Sequence, residues 1–169
     1  NAESRSTSYM LSALIRSQAS HVLLNGTTGT GKTVAVQSLL FDELGTESGS
    51  SDFQSFHVVL SATTSTKNIH EKFESRLRKH PSKNPRVVSL GPETGKTLIA
   101  FIDDANMPAL EYYGASPVIE LLRQMIAQGG YYDAKKCLFK EVRGVRHIAV
   151  CGPPGGGRND LCPRFASKF

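Results

Sequence analysis

Four dense apolar runs of strand length are spaced along the chain: His21 to Asn25 (HVLLN), Phe56 to Leu60 (FHVVL), Leu98 to Asp104 (LIAFIDD) and Val145 to Cys151 (VRHIAVC). Their density predicts strands, and LIAFIDD reads as one buried on both faces. Helical spacing falls between and before them. Tyr9 to Ile15 predicts a short helix behind a polar, extended Asn1 to Ser8. Gly31 to Leu44 predicts a helix directly after the first strand, and Thr66 to Lys79 another, with Ile69, Phe73 and Leu77 at i, i+4 and i+8 on its core face. Arg76, Arg78, Lys79 and His80 then gather at its C-terminal end, where positive charge complements the helix dipole. Ser116-Pro117 has the chemistry of a helix start, and the helix runs to Gln128 with Ile119, Leu122 and Ile126 buried before Gly129-Gly130 ends it.

The polar punctuation fills in the rest. Gly45 to Asp52 (GTESGSSD) reads as a surface loop and as the stretch least able to order. Arg86 to Ser89 and Thr97 to Ile102 read as strands joined by the turn GPETGKT, with Lys96 solvated. Tyr131 to Val142 reads as an inserted hairpin. Gly152 to Asn159 (GPPGGGRN) holds too much Gly and Pro for regular structure, and Asp160 to Phe169 is a short helix or turn.

Chemistry concentrates where a strand meets a helix. Gly26 to Thr33, GTTGTGKT, matches the phosphate-loop pattern G-x-x-x-x-G-K-[ST] in full, and the predicted strand before it and helix after it supply the context the pattern requires. In such a loop the backbone N–H groups of Gly26, Thr27, Thr28, Gly29, Thr30 and Gly31 turn toward a phosphate, and the helix N-terminus adds partial positive charge. Lys32 would reach the β- and γ-phosphates of ATP, and Thr33 would place its hydroxyl on Mg²⁺. GPETGKT at Gly91 to Thr97 imitates the pattern but has three residues between its glycines, not four, and leads into a strand. A buried parallel strand delivers its C-terminal carboxylates to the sheet edge where a phosphate loop lies, so Asp103 fits a Mg²⁺ acid and Asp104 a residue facing the attacking water. The alternative for both is helix capping.

Composition narrows the class. The 169 residues suit one domain, with 39% hydrophobic and 21% charged residues as in soluble chains and no apolar run of membrane-span length. The expectation is therefore no membrane partner and no signal peptide. Cys137, Cys151 and Cys162 form no C-x-x-C pair, which points to reduced thiols in a cytosolic protein. The net charge of +5 is spread along the chain, which argues for a solvated surface and against a nucleic-acid groove.

Several stretches closely resemble dynein heavy chains: DDANMP (Asp103 to Pro108), YGASPVIELLRQ (Tyr113 to Gln124), GGYYD (Gly129 to Asp133), and GPPGGGRN followed by PRF (Pro163 to Phe165). The third AAA+ module of the axonemal type is the best match. The resemblance implies an α/β P-loop NTPase of the additional-strand AAA+ type, a three-layer sandwich around a mostly parallel sheet. Residues 1–169 would be one large α/β subdomain of a six-module motor ring, with the helical lid absent. Gly26, Gly31, Lys32 and Thr33 resemble the family's Walker A, and Asp103 its Walker B aspartate. Arg164 in PRF resembles the arginine finger given in trans to a neighbouring module; a surface arginine closing a helix is the alternative. The implied partners are neighbouring modules of the same chain, dynein intermediate and light chains, and microtubules through the rest of the motor. The implied location is the cytoplasm and cytoskeleton, in a ciliary or flagellar axoneme.

Three departures bear on mechanism. Asp104 stands where active AAA+ ATPases have glutamate, one C–C bond or roughly 1.5 Å shorter, and a displacement of about 1 Å can cost on the order of a hundredfold in rate. Gly152 stands where a polar γ-phosphate sensor is usual, leaving Asn159 as the substitute from farther along the loop. Ser167 replaces the family's second arginine. Two readings follow: an ATPase module that regulates the motor by slow hydrolysis, and a module that holds ATP or ADP without hydrolysis. A P-loop kinase or nucleic-acid remodeller finds no acceptor site or basic groove to support it.

Overall fold

The structure is a computed structural model that describes residues 2–17, 21–46, 51–82, 84–133 and 137–169. In chain order its elements are α1 (Ala2–Arg16), β1 (Val22–Asn25), α2 (Lys32–Ser38) with a π-helical turn Leu39–Glu43, β2 (Phe53–Val59), α3 (Thr66–Glu74), β3 (Arg78–His80), β4 (Val87–Gly91), β5 (Thr97–Asp103), α4 (Pro117–Gln128), β6 (Gly130–Asp133), β7 (Leu138–Val142), β8 (Val145–Cys151) and α5 (Pro163–Ala166).

The four dense runs pair as one sheet in the order β1-β8-β5-β2, parallel throughout. Its two faces follow from the period-2 alternation of side chains. On β5, Ile99 and Phe101 join Ile148 and Val150 of β8 beneath Leu11 and Ile15 of α1 and Val36, Leu39 and Leu40 of α2 and its π turn. Leu98, Ala100 and Ile102 face the other way with Ala149 and Cys151, toward Ile69 and Phe73 of α3, Leu122 and Met125 of α4 and Phe165 of α5. Two apolar cores on one parallel sheet make the three-layer arrangement, and they explain why β5 is apolar at every position from Leu98 to Ile102. A second, four-stranded sheet, β3-β4-β7-β6, is built from the β3 and β4 segment between α3 and β5 and the hairpin after α4. Among the described residues no helix is long and apolar enough to cross a membrane.

Local expectations are corrected in several places. Helix α1 begins at Ala2 and absorbs the stretch expected to be extended. With Leu11 and Ile15 docked, each further turn adds backbone hydrogen bonds without a new nucleation cost. The helix after the loop widens into a π turn, with Leu44 N–H donating to Leu39 O at 3.0 Å, which swings Leu39, Leu40 and Leu44 into one core. Helix α3 stops at Glu74; Arg78 to His80 instead form an antiparallel pair with β4, and the expected cluster at a helix end is a strand, with Arg78 bonded to Glu93 at 2.8 Å. Lys96 is mostly buried beside Glu93 at 3.4 Å, not solvated. Residues 47–50 of the Gly/Ser-rich loop and 134–136 of the expected hairpin lie outside the described residues; Tyr131 to Asp133 and Leu138 to Val142 do pair antiparallel. Helix α4 starts after Ser116 as expected, but the Ser116 hydroxyl makes no capping bond.

Candidate functional site

The parallel sheet places the C-terminal ends of β1, β5 and β8 along one edge, and the sequence-predicted phosphate residues meet there. The loop after β1 is held by its own donors. Thr30 Oγ1 donates to Thr27 O at 2.9 Å, and Lys32 Nζ donates to Gly26 O at 2.7 Å and Thr27 O at 2.6 Å. Gly29 (φ 83°) and Gly31 (φ 76°) take left-handed conformations that side chains disfavour, and Gly31 turns the chain directly into α2. An ammonium resting on loop carbonyls is a cation parked beside a place where stronger acceptors could enter.

Across from it, Asp103 at the end of β5 is 8% exposed. Its Oδ2 accepts from Thr33 Oγ1 at 2.9 Å and its Oδ1 from the Asp104 N–H at 2.9 Å. A hydroxyl and a buried carboxylate brought together from positions 70 apart in sequence make an oxygen donor pair of the kind Mg²⁺ takes. His57 of β2, stacked on Phe101 at 4.4 Å between ring centroids, puts Nε2 3.7 Å from the same Oδ2. Asp104 follows with φ 52°, a left-handed conformation that Asp tolerates better than most residues, and its backbone closes a turn through Met107 N–H. Its carboxylate faces the guanidinium of Arg158, with Nη2 to Oδ1 at 3.3 Å. Lys32, Thr33, Asp103, Asp104, Gly152 and Arg158 line a cleft of about 290 Å³. Cys151 lines it too; burial raises its thiol pKa, and the charge of Lys32 pulls it partly back. A larger hollow of about 830 Å³ on the other flank of Gly31 and Lys32 is lined by Thr7 and Ser8 of α1 and Leu24 and Asn25 of β1.

Asn159 is not brought into the cleft. Its side chain donates to Pro108 O at 2.8 Å and its N–H to Asn106 O at 2.9 Å, so its amide is engaged within the loop. The residue that reaches the cleft is its neighbour Arg158, which sequence reasoning passed over, as it did His57 and Asn106. Only the glycine run before Arg158 signalled it, as a tight turn able to throw a long side chain back. Arg164 lies on α5, exposed, at a separate hollow of about 380 Å³ near Asn106 and Ile119, and has no ion pair among the described residues.

A parallel sheet with β8 between the loop strand and the aspartate strand, covered by helices on both faces, is an α/β fold of the P-loop ATPase type. The family described as the P-loop containing dynein motor region matches residues 1–169, and the chain belongs to it. Similar relatives include Dynein axonemal heavy chain 1 of Rattus norvegicus, 42% identical over 163 residues, which cover 96% of this chain and 3% of that one. Dynein axonemal heavy chain 6 of Homo sapiens is 39% identical over 161 residues, 95% of this chain and 4% of that one. Dynein axonemal heavy chain 12 of Rattus norvegicus is 43% identical over 153 residues, 90% of this chain and 5% of that one. The chain thus spans only a few per cent of the length of the relatives it matches. A solved structure of a candidate ATPase from Cytophaga hutchinsonii superposes with a TM-score of 0.55 at 16% identity, over 95% of this chain and 43% of that one, which bears on the fold alone.

Proposed function

We propose that this chain is the large α/β subdomain of one AAA+ module of an axonemal dynein heavy chain, the third by its sequence motifs, and that it binds ATP or ADP at the loop Gly26 to Thr33. The observation that carries the reading is the meeting of Lys32, Thr33 and Asp103 at one sheet edge, with the Thr33 hydroxyl 2.9 Å from Asp103. The phosphates would take the loop N–H groups, and Lys32 would exchange the Gly26 and Thr27 carbonyls for phosphate oxygens, which make stronger charge-assisted bonds. Thr33 and Asp103 would hold Mg²⁺, whose chemistry is to neutralise charge on the β- and γ-phosphates. The hollow beside Thr7 and Ser8 offers room for base and ribose.

The partners we propose are neighbouring modules of the same chain, with Arg164 presented outward to one of them, dynein intermediate and light chains, and microtubules through the rest of the motor. The setting is the cytoskeleton of a cilium or flagellum. In the hydrolytic reading Asp104 orients the attacking water, and nucleotide state in this module regulates the motor. A second reading, in which nucleotide is held without hydrolysis, is favoured by the ion pair that occupies Asp104 and by its short side chain. Asp104→Asn separates them. Asn also accepts a left-handed backbone, so the variant removes the charge with little strain. Under the hydrolytic reading ATP turnover by the motor carrying it falls on the order of a hundredfold while nucleotide still binds; unchanged turnover favours the second. Nucleotide binding that Lys32→Ala leaves intact contradicts both.

A further inference from the structure

Position 152 directly follows β8, lining the phosphate cleft, and it carries no side chain. The space is filled from elsewhere. A Cβ built on Gly152 would lie 3.2 Å from both Cδ and Nε of Arg158, so the arginine stem lies across the glycine. The loop between them is built for this. Gly155 (φ 114°), Gly156 (φ 58°) and Gly157 (φ 85°) form a reversal closed by two bonds, Gly155 N–H to Arg158 O at 3.0 Å and Arg158 N–H to Gly155 O at 3.1 Å. Asn106 clasps both ends: its Nδ2 donates to Gly152 O at 2.9 Å and to Asn159 O at 3.1 Å, and its O accepts from Asn159 N–H at 2.9 Å. Asn106 is 4% exposed, so this clasp is internal and fixed.

The clasped loop aims Arg158 at the cleft, where it has one charged partner and a buried donor left unpaired. Nη2 meets Asp104 Oδ1 at 3.3 Å, while Nε is buried with no partner among the described residues. A buried donor left unsatisfied is costly, and a new acceptor entering beside it would gain accordingly. The pair with Asp104 is long and both side chains are partly exposed, so it is a weak hold.

Resting on the nucleotide reading above, we propose that Arg158 is the γ-phosphate-contacting residue of this cleft, standing in for the side chain that Gly152 lacks. Asp104 and the γ-phosphate would then compete for it. With ADP or no nucleotide, the guanidinium stays on Asp104 and keeps that carboxylate engaged. With ATP, the terminal phosphate, richer in charge and acceptors, takes the guanidinium and frees Asp104. A side chain at position 152 would crowd the Arg158 stem, which would have to shift to admit it. The glycine run and Asn106 are positioning devices for one cationic side chain.

The test is a calorimetric cycle with ADP and a non-hydrolysable ATP analogue in Mg²⁺, on wild type, Arg158→Ala, Asp104→Asn, the double variant and Lys32→Ala, each checked for a retained cooperative melt. Arg158→Ala is expected to lower analogue affinity about tenfold or more while ADP affinity stays within about twofold. Arg158→Lys recovers part of the loss. Asp104→Asn is expected to raise analogue affinity in wild type and much less in the Arg158→Ala background, because its effect runs through the competition. An unchanged preference for the analogue in Arg158→Ala, with binding still dependent on Lys32, overturns this assignment alone. A full gain from Asp104→Asn without Arg158 overturns the competition. If wild type shows no Lys32-dependent binding of either nucleotide, the nucleotide reading fails and this proposal with it.

Discussion

Single residues in this chain are set by what their neighbours leave them. Lys32 has no carboxylate partner among the described contacts and rests on two loop carbonyls. Asp104 takes a backbone conformation that costs most residues of order 1 kcal/mol or more, and sites of action are where such strain collects. The loss of turnover that the hydrolytic reading alone predicts for Asp104→Asn therefore belongs at this scale. Lys32, Thr33, Asp103 and Asp104 were legible in the sequence because the pattern fixes them relative to a strand end. Arg158 was not. Its place depends on a reversal of three left-handed glycines and on a clasp from Asn106, and neither the direction of that reversal nor a bond spanning 53 positions can be read from local pattern. Asn159 was the natural guess as the shorter polar residue, and its amide is spent on Pro108.

At the scale of elements, periodicity located the four central strands and α4, whose apolar spacing is strong and whose ends carry Pro117 and Gly129. It failed where an element's partner is remote. The α3 apolar spacing continues through Leu77, which is indeed buried, yet the backbone after Ser75 leaves the helix so that Arg78 to His80 can pair with β4. The second sheet is tied to α3 by a polar cluster: Glu74 accepts from the Tyr131 hydroxyl at 2.6 Å and from Lys140, which also meets Asp133 at 2.8 Å. Burial pushes the Tyr131 phenol pKa up, and the bond to Glu74 adds to it, so this donor stays protonated throughout the physiological range. Packing here leaves no slack at Gly130, where a Cβ would collide with the Lys140 carbonyl and lie 2.9 Å from Glu141 Cα. Gly130→Ala is expected to destabilise the chain by about 1–3 kcal/mol through forced separation of β6 and β7. A denaturant titration measures it; a loss under about 0.5 kcal/mol, the range of neutral surface changes, would show the hairpin to be pliant.

For the molecule as a whole, acid sensitivity is built in at the end of the sheet away from the phosphate loop. His147 is 3% exposed, its Nδ1 lies 3.2 Å from Nδ1 of His21, and His21 Nδ1 also accepts the His147 N–H at 3.1 Å. Burial, and then His21, push the His147 pKa down from 6.5 to about 3. Burial, then Arg146, lower His21. The unfolded chain binds these protons near pH 6.5 and the folded chain does not, so stability falls as pH drops below about 6.5, by up to about 1.4 kcal/mol per unit for each such group, and is insensitive to them above it. Thermal midpoints between pH 7.5 and 5 should decline, and His147→Asn should flatten the decline whatever it does to the midpoint at pH 7.5. An unaltered slope would place the acid sensitivity elsewhere. The layered architecture itself was open to sequence reasoning, since a strand with the unbroken apolar run Leu98 to Ile102 has to be covered on both faces. The second sheet was not, because its strands are short, half polar and paired across the chain.

The central claim is that the sheet edge holding Lys32, Thr33 and Asp103 is a Mg²⁺-nucleotide site, and calorimetric titration of ATP into the wild-type and Lys32→Ala chains, with and without Mg²⁺, tests it most directly. Saturable binding that strengthens with Mg²⁺ and weakens about tenfold or more in Lys32→Ala is the predicted result. Equal binding by the two chains, or none by wild type at millimolar ATP, would contradict it.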